Sequence, residues 1–138
     1  MRALIALCCL AAPAAAEEAL DGPGFEAFVL GESYSIVDPA GTEPYGVEHY
    51  FEGGRVTWRW LETGKCEDGT WYESGDFPGG PAICFDYEGL SDTQCWRYVP
   101  KGDGLRATFL GSPAAPEAVK GYEIAPMPGA TYCEWLGA

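Results

Sequence analysis

The chain has 138 residues, with 21 acidic side chains against 8 basic ones and a formal net charge of −13. A surface this acidic is unsuited to nucleic acid or anionic lipid, because gripping phosphate takes clustered Lys and Arg. Surplus acid favours cationic partners or Ca²⁺, or simply keeps a protein in solution outside the cytoplasm.

The first stretch, "MRALIALCCLAAPAAAEE", carries one Arg, a short apolar run and small residues ending at Ala16. This layout predicts a secretory signal peptide cleaved between Ala16 and Glu17, and with it a periplasmic or secreted protein. The apolar run is about half the roughly 20 residues of a membrane-spanning helix, and no later stretch is a candidate span. Cys8 and Cys9 lie inside the run, whereas a lipid anchor needs its cysteine at the end. Cleavage leaves 17–138, of a size for one domain with its own core. Four cysteines remain, Cys66, Cys84, Cys95 and Cys133. An even number in a small exported chain predicts two disulfides, with three connectivities open.

Asp21 and Gly22 can cap a short helix with Pro23 in its first turn, and Phe25, Phe28 and Val29 give it one apolar stripe before Gly31 closes it. From Ser33 onward the pattern changes to period two. In "RVTWRWLE", Val56, Trp58 and Trp60 share one face and Arg55, Thr57 and Arg59 the other. "AICFDYE" groups Ile83, Phe85 and Tyr87, and "TQCWRYV" groups Trp96 and Tyr98. Weaker strand patterns cover Tyr34–Asp38, Gly46–Glu52, Gly69–Glu73, Leu105–Leu110 and Gly121–Ala125. The segments between them, among them "TGKCED", "SGDFPGGP", "PKGDG" and "SPAAPEA", read as turns. Eight short strands with one-face alternation predict an all-β, antiparallel up-and-down meander. Such a meander removes its edges by closing into a small barrel, with the helix plugging one end or lying outside. A β-sandwich is the alternative.

The stretch "ICFDYEGLSDTQCW" bears on the cysteines. A two-residue type II′ turn at Gly89–Leu90 sets Asp86 against Thr93 and Cys84 directly against Cys95, within disulfide reach. The same register places Ile83 against Trp96. Zinc sites use close cysteine pairs with histidine, and redox sites use C-x-x-C; neither spacing occurs. No metal or other cofactor is expected. By elimination, Cys66 pairs with Cys133 and ties the C-terminal tail to the sheet.

Catalytic residue types are scarce. The single histidine, His49, has no G-x-S-x-G partner motif, and a nucleophilic site needs a base beside its nucleophile. Asp86 and Glu88 share a face, and Glu67, Asp68, Glu73 and Asp76 lie near them in sequence, so a pair of glycosidase-type acids is conceivable among 21 acids. "EGLSDTQ" and "CEDGTWYESGD" lack the calcium-loop spacing. Aromatics are the remaining feature: Trp58, Trp60, Trp71, Tyr72, Phe85, Tyr87, Trp96 and Tyr98 fall on or near the inferred inner face. They either fill a narrow interior or line a ligand pocket, and a whole drug-sized ligand requires at least about 300 Å³.

The string "FEAFVLGESYS…PYGVEHYFEGGRVTWRW…CEDGTWYESG…ICFDY…QCWRY" resembles a family of small exported alphaproteobacterial proteins of unknown function. The resemblance covers about Phe25 to Phe109 and rests chiefly on the paired I-C and C-W elements. It implies a lipocalin-like β-meander and brings no catalytic residues with it. "DFPGGP" is longer than the family's pattern at that hairpin.

These readings converge on a non-enzymatic binding module, a monomer, whose candidate lining is Trp58, Trp60, Trp71, Phe85, Tyr87, Trp96 and Tyr98. Its ligand would be a small apolar molecule or an envelope partner. An inhibitor of an exported enzyme, presenting "SGDFPGGP" and "SPAAPEA" as rigid loops, is the alternative reading. A carbohydrate-active hydrolase comes third, and it requires an acid of raised pKa inside a cleft.

Overall fold

A computed structural model describes residues 18–137, so the signal peptide expected at 1–16 lies outside the described residues. Helix α1 (Gly22–Val29) starts where the Asp21 side chain accepts a hydrogen bond from Gly24 N at 2.8 Å. Gly31, at φ +77°, lets the chain turn out of the helix into the sheet. Four strands follow: β1 (Ser33–Val37), β2 (Gly46–Phe51), β3 (Arg55–Trp60) and β4 (Cys66–Ser74). The remaining four are β5 (Ala82–Tyr87), β6 (Gln94–Lys101), β7 (Gly104–Ser112) and β8 (Ala115–Pro126). Each pairs antiparallel with the next, and β8 returns to pair with β1. The result is a closed eight-stranded barrel rather than a sandwich, each strand hydrogen-bonded to a neighbour on both sides.

Period-two alternation sends Tyr34, Ile36, Tyr50, Val56, Trp58, Ile83, Phe85, Tyr87, Trp96, Tyr98, Leu105, Ala107 and Ile124 into one core. Helix α1 plugs the end of the barrel where β2 finishes and β3 begins. Phe25, fully buried, meets Tyr98 at 4.8 Å, Trp71 at 5.2 Å and Tyr50 at 5.5 Å between ring centroids. Glu73 Oε1 accepts from Gly22 N at 2.7 Å and Phe28 O accepts from Tyr34 Oη at 2.9 Å, so polar contacts fasten the plug as well.

Both disulfides form, Cys84–Cys95 with Cα atoms 4.0 Å apart and Cys66–Cys133 at 5.8 Å. The register Ile83↔Trp96, Cys84↔Cys95 is the expected one, but the two-residue turn is not. The β5–β6 ladder ends at Phe85↔Gln94, and Glu88–Thr93 form a wider loop. Gly89 has none of the positive φ a type II′ corner requires. Instead it packs so close to Glu67 that a Cβ there would lie 2.0 Å from Oε2, while Leu90 turns inward. Two-residue corners fall instead between β6 and β7, where Gly102 takes φ +59° next to the pair Lys101↔Gly104, and between β7 and β8, next to Ser112↔Ala115.

Three further expectations are corrected. Tyr72 faces outward beside Cys84 and is 44 % exposed, because Trp71 takes the inward position. Cys66 belongs to β4 rather than to a preceding turn. "SPAAPEA" is mostly strand, since β8 starts at Ala115 and follows a β7 bent by register shifts near Ala107 and Gly111.

The outer face is partly covered. Residues beyond β8 run across β2, β3 and β4, held by Cys66–Cys133. Thr57 Oγ1 donates to Cys133 O at 2.7 Å, and Leu136 N donates to Asp68 Oδ2 at 3.1 Å. This strap buries Val47, His49, Thr57 and Asp68 on the face that a bare barrel would expose. "SGDFPGGP" also folds back: Phe77 packs beside the Cys84–Cys95 bridge with Leu110, and Arg97 Nη2 donates to Pro78 O and Gly80 O.

Candidate functional site

At the end of the barrel opposite α1, a cavity of about 110 Å³ remains. Its walls are Trp58 and Trp60 from β3, Trp96 from β6 and Tyr45, which precedes β2. Leu90 and Gln94, both half-buried, form part of the rim, and Glu48 and Tyr87 also line it.

The walls are built by alternation and by two glycines. Trp58 and Trp60 lie two apart on β3 and therefore share a face, with rings 5.3 Å apart and perpendicular. Tyr45 meets Trp58 edge-on at 5.5 Å. Trp58 occupies the space a side chain at Gly46 would need, since a Cβ there would lie 1.9 Å from the indole. On β4, a Cβ at Gly69 would stand 2.5 Å from the ring of Tyr87, its cross-strand partner. Two residues without side chains thus make room for two rings.

Glu48 is the polar element. It sits on β2 with Gly46 and Tyr50 on the inward face and is 5 % exposed. One carboxylate oxygen accepts from Tyr87 Oη at 3.0 Å, and the other accepts from Tyr50 Oη. Burial pushes its pKa up to about 7, against the opposing effect of the two phenols. Burial also raises the phenols of Tyr50, Tyr87 and Tyr98 well above their ordinary value. No Lys or Arg pairs with Glu48 among the described residues. Trp58 Nε1, buried nearby in the wall, has no acceptor among the described residues.

The candidate lining divides in two. Trp58, Trp60, Tyr87 and Trp96 surround the cavity, whereas Trp71, Phe85 and Tyr98 pack against Phe25 and fill the plugged end. The interior is therefore mostly solid. What remains is well below the roughly 300 Å³ of a drug-sized site and suits a group of a few heavy atoms.

The acids near the strand β4–β5 region are dispersed among separate tasks. Glu67 pairs with Lys65 at 2.7 Å, Asp68 holds the strap, Glu73 binds the helix start, Asp76 bonds Ser74, and Asp86 accepts from Thr93. Glu48 is the one carboxylate lining the cavity among the described residues, whereas glycoside hydrolysis needs two across one site. His49 lies on the outer face, bonded through Nδ1 to Ser33 Oγ at 2.7 Å and stacked under Tyr132 at 3.6 Å. Burial lowers its pKa. That arrangement clamps the strap to the sheet.

Sequence reasoning passed over Glu48. A signal was present: Glu48 falls in step with Tyr50, and its Cα partner across the sheet is Trp58. It was obscured because Val47 and Phe51 are apolar on the opposite face, so "GVEHYF" shows no clean alternation.

Among the described residues no helix is long and apolar enough to cross a membrane, and no three or more His, Cys, Asp or Glu residues are grouped to hold a metal ion. No protein-family model matches the chain, and comparison with curated proteins and with solved structures returns no match.

Proposed function

We propose that this chain is a non-enzymatic binding module working in an oxidising, extracytoplasmic compartment. It receives a small ligand, or the small head group of a larger partner, in the barrel mouth opposite α1. The observation that carries this reading is the aromatic-walled cavity at the unplugged end, whose shape depends on glycines at 46 and 69. Two disulfides support the compartment, because such bonds persist where the surroundings are oxidising.

The test is calorimetric titration of the oxidised protein with two compact probes, tetramethylammonium and 3,3-dimethyl-1-butanol. Saturable heat with at least one probe, abolished in Leu90→Trp, supports the reading. No saturable heat with either probe rejects it.

A further inference from the structure

Resting on that reading, we propose that the mouth is selective for a small organic cation of the alkylammonium class, its charged end held between Glu48 and the rings of Tyr45, Trp58, Trp60 and Trp96. Three observations lead there. The first is a missing counter-ion. Glu48 is buried and receives two phenolic hydrogen bonds, yet among the described residues it has no cationic partner. The other carboxylate near this end, Glu67, already holds Lys65. An ionised carboxylate without an opposite charge is costly in a low-dielectric interior, so a cation entering the mouth would recover part of that cost.

The second observation is the wall. Indole and phenol faces are attracted to cations, and quaternary ammonium groups are held in aromatic boxes in this way. Three indoles and two phenols, Tyr45 and Tyr87, converge on a cavity of about 110 Å³. A cavity of about 150 Å³ accepts benzene, so this one suits an ammonium carrying a few methyl groups and little more. The third is the long-range field. With 21 acids against 8 bases, the protein draws cations toward its surface before any contact forms.

Among the described residues the titratable groups facing Glu48 are phenols: Tyr50 on its own strand, Tyr87 on β5, Tyr98 on β6, and Tyr45 at the entrance. Burial raises each of them, so of these five groups it is Glu48 that changes charge near neutral pH. His49 projects from the other side of β2, and its pKa is lowered. Cation binding requires the carboxylate, and affinity should fall as pH drops from 8 to 6.

The deciding comparison sets tetramethylammonium against 3,3-dimethyl-1-butanol, which presents a similar branched, methyl-rich end without charge. The native protein should bind the cation about tenfold more tightly at pH 8. Glu48→Gln should erase that preference, lowering the cation's affinity about tenfold, to that of the neutral probe. The pH series on the native protein provides a second readout that does not depend on the variant folding. Equal or tighter binding of the neutral probe, or a cation affinity that ignores pH, overturns the selectivity and leaves the binding-module reading standing. Silence from both probes overturns both.

Discussion

Trp58 lays its indole over the backbone of Gly46 so closely that no β-carbon fits between them. The backbone at Gly46 does not lie in the left-handed region, so alanine is refused there by the neighbouring ring alone. Gly46→Ala is expected to destabilise the fold by about 1–3 kcal/mol, the usual cost of overpacking. Urea unfolding checks the value. A shifted tryptophan emission maximum in the folded variant would show that the displaced ring is at the mouth.

Glu48 makes stability depend on pH in an unusual direction for a carboxylate. Its folded pKa of about 7 lies above the ordinary 4.5, so the folded state holds the proton more tightly than the unfolded chain does. The stabilisation is complete below about pH 4.5 and is lost as pH rises through 7, a swing of about 3 kcal/mol. Glu48→Gln should flatten this part of the profile and unfold at higher urea than the native protein at pH 8. A native profile that rises between pH 5 and 8 by the same amount would contradict the assignment.

The two bridges should differ in weight. Cys66–Cys133 closes a separation of 67 residues and Cys84–Cys95 one of 11. In the chain-entropy model these correspond to about 4 and about 3 kcal/mol. Replacing Cys66 and Cys133 together by serine should also free the strap. Backbone amides of β2 and β3 would then exchange faster with deuterium, while those of β6 and β7 keep their protection.

The plug is testable at one position. Phe25→Ala removes a fully buried ring that touches Tyr50, Trp71, Phe85 and Tyr98, at an expected cost of about 3–5 kcal/mol. Thermal unfolding followed by near-ultraviolet circular dichroism would report both the loss and the changed ring environment.

Much of this architecture was readable from residue order. The alternation around Trp58, Phe85 and Trp96 assigned the inner face because side-chain direction in a strand has a period of two. Opposed cysteines defined the β5–β6 register even though the turn joining those strands was misjudged. A tight turn would have left Leu90 outside, whereas burying it at the mouth and seating Gly89 on Glu67 favoured a wider loop. Glu48 escaped notice for a related reason. The pattern of β2 is set by two coverings, the barrel interior on one side and Tyr132 with the strap on the other. Only the three-dimensional arrangement separates them. The start of β8 in "SPAAPEA" was hidden because its residues are exposed and carry no hydrophobic period.

One end of the barrel is corked by α1 and the other is not, which gives the interior a single doorway. Whatever enters past Leu90 and Tyr45 must leave the same way. For a ligand of the proposed kind, the Glu88–Thr93 loop, which carries Leu90 at the rim, is the part of the mouth whose motion would set residence time. Stiffening that loop would slow arrival and departure together and leave the balance between them nearly unaltered.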